Sequence, residues 1–244
     1  MQRYFVRPDQ MTGTTVRIEG DDVHHIARVM RMKQGDHIIC ADGQGRDVLA
    51  VIETIDEHSV VATIVQELAL RRELPLHVAV AQSLPKGDKM DWIVQKCTEM
   101  GVGRIIPFTS SRTVVFWNGD KMSRRRLRWL KIAKEAAEQS HRSIIPAIDE
   151  PVSWDELLAL RGQFDLALLA HVGKEAVSLK QLFQERDKPH SILIVVGPEG
   201  GFDEAEVEDA AANGFVSVSF GRRILRTETA ALYALAAISY QFEM

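Results

Sequence analysis

The sequence predicts an α/β protein with a small N-terminal β-barrel and a C-terminal α/β domain that contains a parallel sheet. In residues 1–72, five short apolar or alternating runs are separated by turns with glycine, a pattern typical of a small barrel. From residue 75 onward, apolar strands alternate with helical patterns, which favours a parallel sheet covered by helices on both faces. Residues 68–74 break the β pattern, so we expect one domain over 1–72 and a second over 73–244.

The N-terminal strands are predicted from runs of apolar or alternating residues. They cover 4–6, 16–18, 37–41, 48–55 and 60–66. One helix over 21–30 interrupts them, and its acidic start suits the helix dipole. Its apolar positions, which include Met30, share one face at helical spacing. That spacing leaves Arg28 and Arg31 toward solvent or a partner.

The C-terminal strands and helices are predicted in strict alternation over most of the domain. The strands cover 76–81, 104–108, 144–147, 166–170, 192–196 and 216–220. The helices cover 86–100, 121–140, 157–160, 176–184, 204–212 and 229–242. Capping boxes begin at Ser153 and Asp203, each followed by a glutamate three residues later.

The last helix is apolar nearly all round over residues 230–238. A surface helix needs only one apolar stripe, so this helix must be covered on two sides. The sheet can cover one side and a second subunit the other, which predicts a symmetric homodimer. The alternative is a helix buried within a single chain.

Composition limits the class of protein. The 244 residues are 45% hydrophobic with a net charge of −4, and no uninterrupted apolar run is long enough for a membrane span. The N-terminus lacks a signal-peptide core, and Cys40 and Cys97 are expected to be free thiols in a reducing cytoplasm. The adjacent His24 and His25 point about 100° apart on a helix, so no metal site is predicted.

The basic side chains are concentrated in the middle of the chain. Residues 73–142 carry 13 basic and 7 acidic side chains, although the whole chain is acidic. This asymmetry indicates a local anionic partner, and the alternative is a solvated helix face.

Two glycine-bearing turns carry the strongest functional signal. The first, 197–201, follows a strand that reads as buried on both faces, and its three glycines allow a close approach of the backbone to a ligand. It matches neither GxGxxG nor the P-loop, and Glu199 would repel a phosphate, so ATP and nicotinamide cofactors are disfavoured. A cationic or zwitterionic ligand is compatible, and the alternative is a tight turn only. The second turn, 221–229, also joins a strand to a helix, so both can line one end of a sheet.

Read together as GPEGG and GRRILRTETA, these two turns resemble the RsmE-like family, which are 16S ribosomal RNA uridine N3-methyltransferases of the SPOUT superfamily. The resemblance extends to several other segments. They cover 3–5, 25–32, 86–102 and 138–142. Met30 departs from the leucine expected there, a conservative change that leaves the assignment intact.

The resemblance implies features that spacing does not show. The C-terminal domain would contain a deep trefoil knot that binds S-adenosylmethionine, and the N-terminal barrel would be a PUA-like domain for RNA. The enzyme would be a homodimer through its C-terminal domain. It would methylate N3 of a specific uridine in 16S ribosomal RNA, within the 30S subunit, with no metal.

The candidate site residues fall into three groups. Arg226 and Glu199 are the catalytic candidates, because arginine can stabilise negative charge and a carboxylate can act as base. The candidates for cofactor contact are Leu169, Gly197, Gly201, Phe220, Gly221, Ile224, Leu225 and Thr229. The candidates for RNA contact are Arg3, His25, Arg28, Arg31, Lys86, Lys89, Arg112, Arg124, Arg125 and Arg142.

Other functions stay open at this stage. One is a SPOUT methyltransferase for a different RNA, such as tRNA, or for a ribose 2′-oxygen. Another is a noncatalytic RNA-binding or ribosome-assembly factor, against which the intact glycines of both turns argue. The sequence does not identify a general base.

Overall fold

The computed structural model describes residues 1–69, 72–115, 119–173 and 176–243. These residues form two compact units. The first contains Met1–Glu73 together with Lys134–Ile145, and the second contains Leu74–Ala133 together with Pro146–Met244. The first unit therefore includes a segment from the middle of the chain.

The first unit is built on a curled six-stranded sheet in the order β1-β4-β5-β6-β3-β2. Its strands are β1 Arg3–Phe5, β2 Met11–Thr12, β3 Thr15–Glu19, β4 His37–Ala41, β5 Asp47–Ile55 and β6 Ser59–Leu68. All neighbouring strands pair antiparallel except β1 and β4. Alternate apolar side chains from these strands, with Ile26, form a buried core. The predicted small β-barrel is confirmed.

The predicted helix over 21–30 has two parts. The α-helix α1, Asp21–His24, continues as a π-helical turn over His25–Val29, and the backbone N–H of Met30 donates to His25 O. The wider turn changes which side chains face the core: Ile26 is fully buried, whereas Met30 is 38% exposed. Met30 therefore does not share the buried face of Ile26, although regular helical spacing places both residues on one face.

Residues 134–145 are held against the first unit by buried polar contacts. Arg3 donates from Nη1 to Asp47 Oδ1 at 2.6 Å and to the carbonyl oxygen of Arg142 at 2.9 Å. The guanidinium of Arg142 pairs in turn with Glu73, and the backbone N–H of Phe5 donates to Glu138 at 3.0 Å.

The same contacts bear on the RNA candidates. Arg3 is 3% exposed and Arg142 is 2% exposed, and both guanidinium groups pair with carboxylates. Their burial does not fit the expectation that they contact RNA phosphates, because neither group reaches solvent. We therefore assign both a structural role.

The second unit is built on a seven-stranded sheet in the order β11-β13-β10-β12-β7-β8-β9, and every neighbouring pair is parallel. Its strands are β7 His77–Ser83, β8 Arg104–Phe108, β9 Ala147–Ile148, β10 Leu166–Ala170, β11 Val177–Ser178, β12 Ser191–Val196 and β13 Val216–Ser219. The helices are α2 Lys89–Glu99, α3 Gly119–Gln139, α4 Trp154–Ala159, α5 Leu179–Gln184, α6 Glu204–Ala212 and α7 Thr227–Phe242, and α3 belongs to the first unit from Lys134 onward. The predicted α/β domain with a parallel sheet is confirmed, and the knot stays a prediction.

Several predicted boundaries differ from the structure. The helix expected over 86–100 begins only at Lys89. The helix expected over 176–184 begins only at Leu179, because Val177–Ser178 pairs with β13 and the Ser178 side chain caps the helix. The strand expected over 144–147 is instead Ala147–Ile148. No helix of the described residues is long and apolar enough to cross a membrane.

Candidate functional site

The two glycine turns line a single cavity of about 580 Å³ in the second unit. The turns follow β12 and β13, and β10 lies between these strands in the sheet. Because all three strands are parallel, their carboxyl ends share one edge of the sheet. A cavity of this size at this edge suits a small-molecule ligand.

The first turn is held in place by the start of the last helix. Thr227 donates its hydroxyl to Gly197 O at 2.7 Å and accepts from Gln82 Nε2 at 2.8 Å. A Cβ on Gly197 would lie 3.0 Å from the ring of Phe202, so only glycine fits without moving that side chain. Packing and hydrogen bonds thus fix the backbone on which a ligand would rest.

Most of the predicted cofactor residues meet in this cavity. Those that line it are Gly197, Gly201, Phe220, Ile224 and Leu225. The other three lie elsewhere: the side chain of Leu169 is buried in the core, Gly221 is exposed in the second turn, and Thr229 is exposed on α7. The cofactor role of all eight residues stays a prediction.

The cavity also includes residues that are not among the predicted catalytic, cofactor or RNA residues. They are Ala170, His171, Val172, Val196, Pro198, Gly200, Phe202, Val218, Arg223, Thr227 and Ala230. The segment 170–172 joins the site because β10 lies between β12 and β13. Strand order of this kind cannot be read from periodicity.

Three charged side chains meet at the edge of the cavity. Lys89 is the first residue of α2, and its Nζ lies 2.8 Å from Glu199 Oε1 and 3.6 Å from Glu228 Oε2. Glu199 also accepts from the backbone N–H of Lys86 at 3.3 Å. Lys89 thereby connects the first glycine turn, 197–201, with the first helical turn of α7.

The ion pair between Glu199 and Lys89 determines the charge on both side chains. Burial alone would raise the pKa of Glu199, but hydrogen bonds from Lys89 and from backbone amides lower this pKa below its usual value. The hydrogen bond to Glu199 raises the pKa of Lys89 above that of an ordinary lysine. At neutral pH Glu199 is therefore an anion and a weak proton acceptor, and Lys89 is a cation.

Arginines complete the charged part of the site. Arg226, at the N-cap of α7, and Arg223 both line the cavity and are exposed to solvent. Arg112 donates to Gly200 O at 2.8 Å and so connects the loop after β8 with the first glycine turn. Both catalytic candidates, Arg226 and Glu199, are in the same cavity.

The remaining RNA candidates are distributed over both units. Within the second unit, Lys86 and Arg124 are exposed, and Arg125 pairs with Asp88 at 2.8 Å. Within the first, Arg28 and Arg31 are exposed beside the π-helical turn.

His25 is partly buried, and its Nδ1 lies 3.0 Å from the hydroxyl of Tyr4. Among the residues that the structure describes, no group of three or more His, Cys, Asp or Glu could hold a metal ion.

Comparison with known families assigns the chain. A family model described as an RNA methyltransferase domain matches residues 72–239. The chain belongs to this RNA methyltransferase family. A second model, described as an RNA methyltransferase PUA domain, matches residues 18–65 and supports a PUA-like fold for the first unit of this methyltransferase.

Individual relatives agree with this family. The chain is 42% identical to ribosomal RNA small subunit methyltransferase E of Bacillus subtilis, covering 100% of this chain and 98% of the relative. It is 34% identical to the Synechocystis protein of the same name, covering 99% and 78%. A solved structure of ribosomal RNA small subunit methyltransferase E from Neisseria gonorrhoeae, bound to S-adenosyl methionine, superposes with a TM-score of 0.89 at 32% identity, covering 99% and 98%. The resemblance to the RsmE-like family is confirmed.

Proposed function

We propose that this methyltransferase transfers a methyl group from S-adenosylmethionine to N3 of a uridine in 16S ribosomal RNA. The observation that carries the proposal is the cavity formed by both glycine turns, with Lys89, Glu199 and Arg226 along its wall, in a member of this family. The reaction would take place in the cytoplasm on the 30S subunit.

The cavity fits S-adenosylmethionine in size and chemistry. Apolar side chains from β13 and the second turn offer a surface for the adenine ring. They are Val218, Phe220, Ile224 and Leu225. The glycine turn leaves room for close backbone contacts, because Gly201 has a positive φ of 67° and no described heavy atom lies within 4 Å of its Cβ position. When bound, the cofactor supplies a methyl group on a positively charged sulfur.

The residues of this chain would prepare the uracil for methyl transfer. Uracil N3 carries a proton at neutral pH, and its removal leaves negative charge on the two carbonyl oxygens. Arg226 lines the cavity with a permanent positive charge and can stabilise that anion. Glu199 is a poor general base because its carboxylate is ion-paired, so its main contribution is to hold Lys89 at the cavity.

RNA would be bound by basic groups on both units. In the second unit these are Lys86, Arg112, Arg124 and Arg125, and in the first they are His25, Arg28 and Arg31. Phosphate contacts release counterions, so affinity should fall steeply as the salt concentration rises. The target uridine must leave its stack to enter the cavity.

The protein would function as a homodimer through α7. One face of this helix is buried against its own unit, whereas Tyr233 and Tyr240 on another face are 40% and 73% exposed. These tyrosines lie seven residues apart, two helical turns, and so form part of one stripe. An exposed aromatic stripe suits a symmetric contact with a second copy.

Mass spectrometry of ribosomal RNA tests the function. A strain that lacks the gene should lose one N3-methylated uridine from 16S RNA, and purified protein with S-adenosylmethionine should restore it in isolated 30S subunits. Loss of a methyl group from tRNA or from a ribose 2′-oxygen would contradict the proposed substrate. An unchanged nucleoside pattern, with no cofactor binding, would favour a noncatalytic assembly factor.

A further inference from the structure

Lys89 is held at the cavity wall by carboxylates from two other elements. Its Nζ donates to Glu199 Oε1 at 2.8 Å, and Glu228 Oε2 lies 3.6 Å from the same nitrogen. The side chain is nevertheless 32% exposed, and it lines the cavity formed by the glycine turns. Lys89 thus combines an ion pair with a place on the wall of the cavity.

The ammonium retains hydrogen-bonding capacity for a ligand. A lysine ammonium has three N–H donors, and Glu199 is one acceptor at hydrogen-bond distance. The Glu228 oxygen at 3.6 Å is too distant for a hydrogen bond, and it has no hydrogen-bond partner in the part of the chain described. A ligand in the cavity can therefore accept a hydrogen bond from Lys89.

The charged surroundings keep this lysine protonated. Glu199 and Glu228 contact it from the turn after β12 and from α7, and the hydrogen bond to Glu199 raises the pKa of Lys89. Three other titratable or charged groups, His171, Arg223 and Arg226, line the same cavity. Arg223 and Arg226 are cations besides Lys89, and Glu199 is the lining carboxylate, so the cavity offers positive charge to an anionic group of the substrate.

We propose that Lys89 is a catalytic residue that donates a hydrogen bond to a carbonyl oxygen of the target uracil and stabilises the N3 anion. This proposal rests on the proposed function, and it assigns Lys89 to the reacting base instead of an RNA phosphate. Uracil N3 loses its proton to water, and its electron pair then forms the bond to the methyl carbon. The sulfur–carbon bond breaks, and its electron pair remains on the sulfur.

The experiment compares the pH dependence of methyl transfer in three variants. Unmethylated 30S subunits are used with full-length wild-type protein, Lys89→Gln, Lys89→Arg and Lys96→Gln. Lys96 is a matched control on the same helix, because it pairs with Glu99 at 2.8 Å and is 34% exposed. Calorimetry with S-adenosylmethionine and thermal unfolding verify that each variant binds cofactor and is folded.

We expect Lys89→Gln to lower kcat at pH 7 by about 100-fold, the usual effect of losing one donor to a developing anion. A nearby positive charge lowers the pKa of uracil N3. Loss of the Lys89 charge should therefore move the rate profile to higher pH. The defect should therefore shrink as pH rises. Lys89→Arg should recover most of the rate, and Lys96→Gln should match the wild type.

Two outcomes would overturn the catalytic role of Lys89 and leave the proposed function intact. One is an unchanged kcat in Lys89→Gln, and the other is a defect of equal size at every pH, which would indicate a structural contribution. If the wild-type protein itself does not methylate uridine N3 in 30S subunits, the proposed function fails as well.

Discussion

Gly201 has a backbone conformation that residues with a side chain rarely adopt, with φ of 67°. No described heavy atom lies within 4 Å of its Cβ position, and the residue lines the cavity. A side chain there would enter space that a ligand needs without disturbing the core. Gly201 is thus a position where ligand binding can be separated from folding.

We predict that Gly201→Val abolishes binding of S-adenosylmethionine while the protein remains folded. The substitution should cost about 1–2 kcal/mol of stability, because valine is strained at positive φ. Gly214→Val is the matched control, since Gly214 has φ of 81° after α6 and does not line the cavity. Calorimetry should show cofactor binding only in the control, and an unchanged affinity in Gly201→Val would remove this turn from the cofactor site.

Arg226→Ala should reduce methyl transfer far more than cofactor affinity, because in the proposed function the charge of Arg226 stabilises the uracil anion. A loss of about 100-fold in kcat is expected, with little change in the calorimetric affinity for S-adenosylmethionine. Arg222→Ala is the control, because Arg222 is an exposed arginine of the same turn that does not line the cavity. Wild-type turnover by Arg226→Ala would exclude a catalytic role.

Sequence could identify single residues only where they belong to a local motif. Glu199 and Arg226 belong to the glycine turns, so their place beside one cavity could be predicted. The partner of Glu199 could not, because Lys89 is 110 residues away along the chain. The same holds for Gln82, which bonds Thr227 across 145 residues.

At the scale of elements, α7 combines two functions on different faces. In its first helical turn, Thr227 donates a hydrogen bond to Gly197 of the first glycine turn. Its buried face packs within the second unit. Its exposed stripe includes Tyr233 and Tyr240. The near-continuous apolar sequence of this helix is explained if both faces are covered in the assembly.

We predict that Tyr240→Glu weakens the dimer, because a charge would be buried at the contact of two copies. Analytical ultracentrifugation should show a shift toward monomer at micromolar concentration. Val65→Glu is the control, since Val65 is a 52% exposed apolar residue on β6 in the other unit. If Tyr240→Glu and Val65→Glu both dimerise as strongly as the wild-type protein, α7 is not the interface.

Element boundaries could be predicted where capping residues mark them. Asp203 and Ser153 both cap their helices with a reciprocal glutamate, as the sequence indicates. The π-helical turn at His25–Val29 could not be predicted, because one extra residue in a turn barely alters the apolar spacing over ten residues. The short strand Val177–Ser178 was missed for a similar reason, since two residues carry no periodic signal.

At the scale of the whole molecule, the first unit is not continuous in sequence. Short strands with glycine turns predict the first fold, and alternating strands and helices predict the second, but the change of pattern suggests a simple division after residue 72. The structure instead adds Lys134–Ile145 to the first unit through Glu138, Arg142 and Ser143. These are ordinary polar residues, and nothing in their spacing indicates which unit they stabilise.

We predict that a fragment of residues 1–73 is less stable than the same fragment linked to residues 134–145 by a flexible linker. Without this segment, Arg3 and Asp47 remain paired with each other but lose their bonds to Arg142 and Ser143. A hydrogen bond to a charged group contributes about 1.5–3 kcal/mol, so we expect a difference of about 3 kcal/mol in the free energy of unfolding. Urea denaturation followed by circular dichroism measures it, and equal stability would show that residues 134–145 are dispensable.

The bond between Arg3 and the carbonyl of Arg142 spans 139 positions of the chain, which has a consequence during protein synthesis. The first strands leave the ribosome early, but Arg3 of β1 cannot bond to Arg142 until more than half of the chain has been translated. At about 5–20 residues per second, this interval lasts roughly 7–28 seconds. The nascent N-terminal unit is therefore incomplete for that time and exposed to proteases and chaperones, although its own strands are already outside the tunnel.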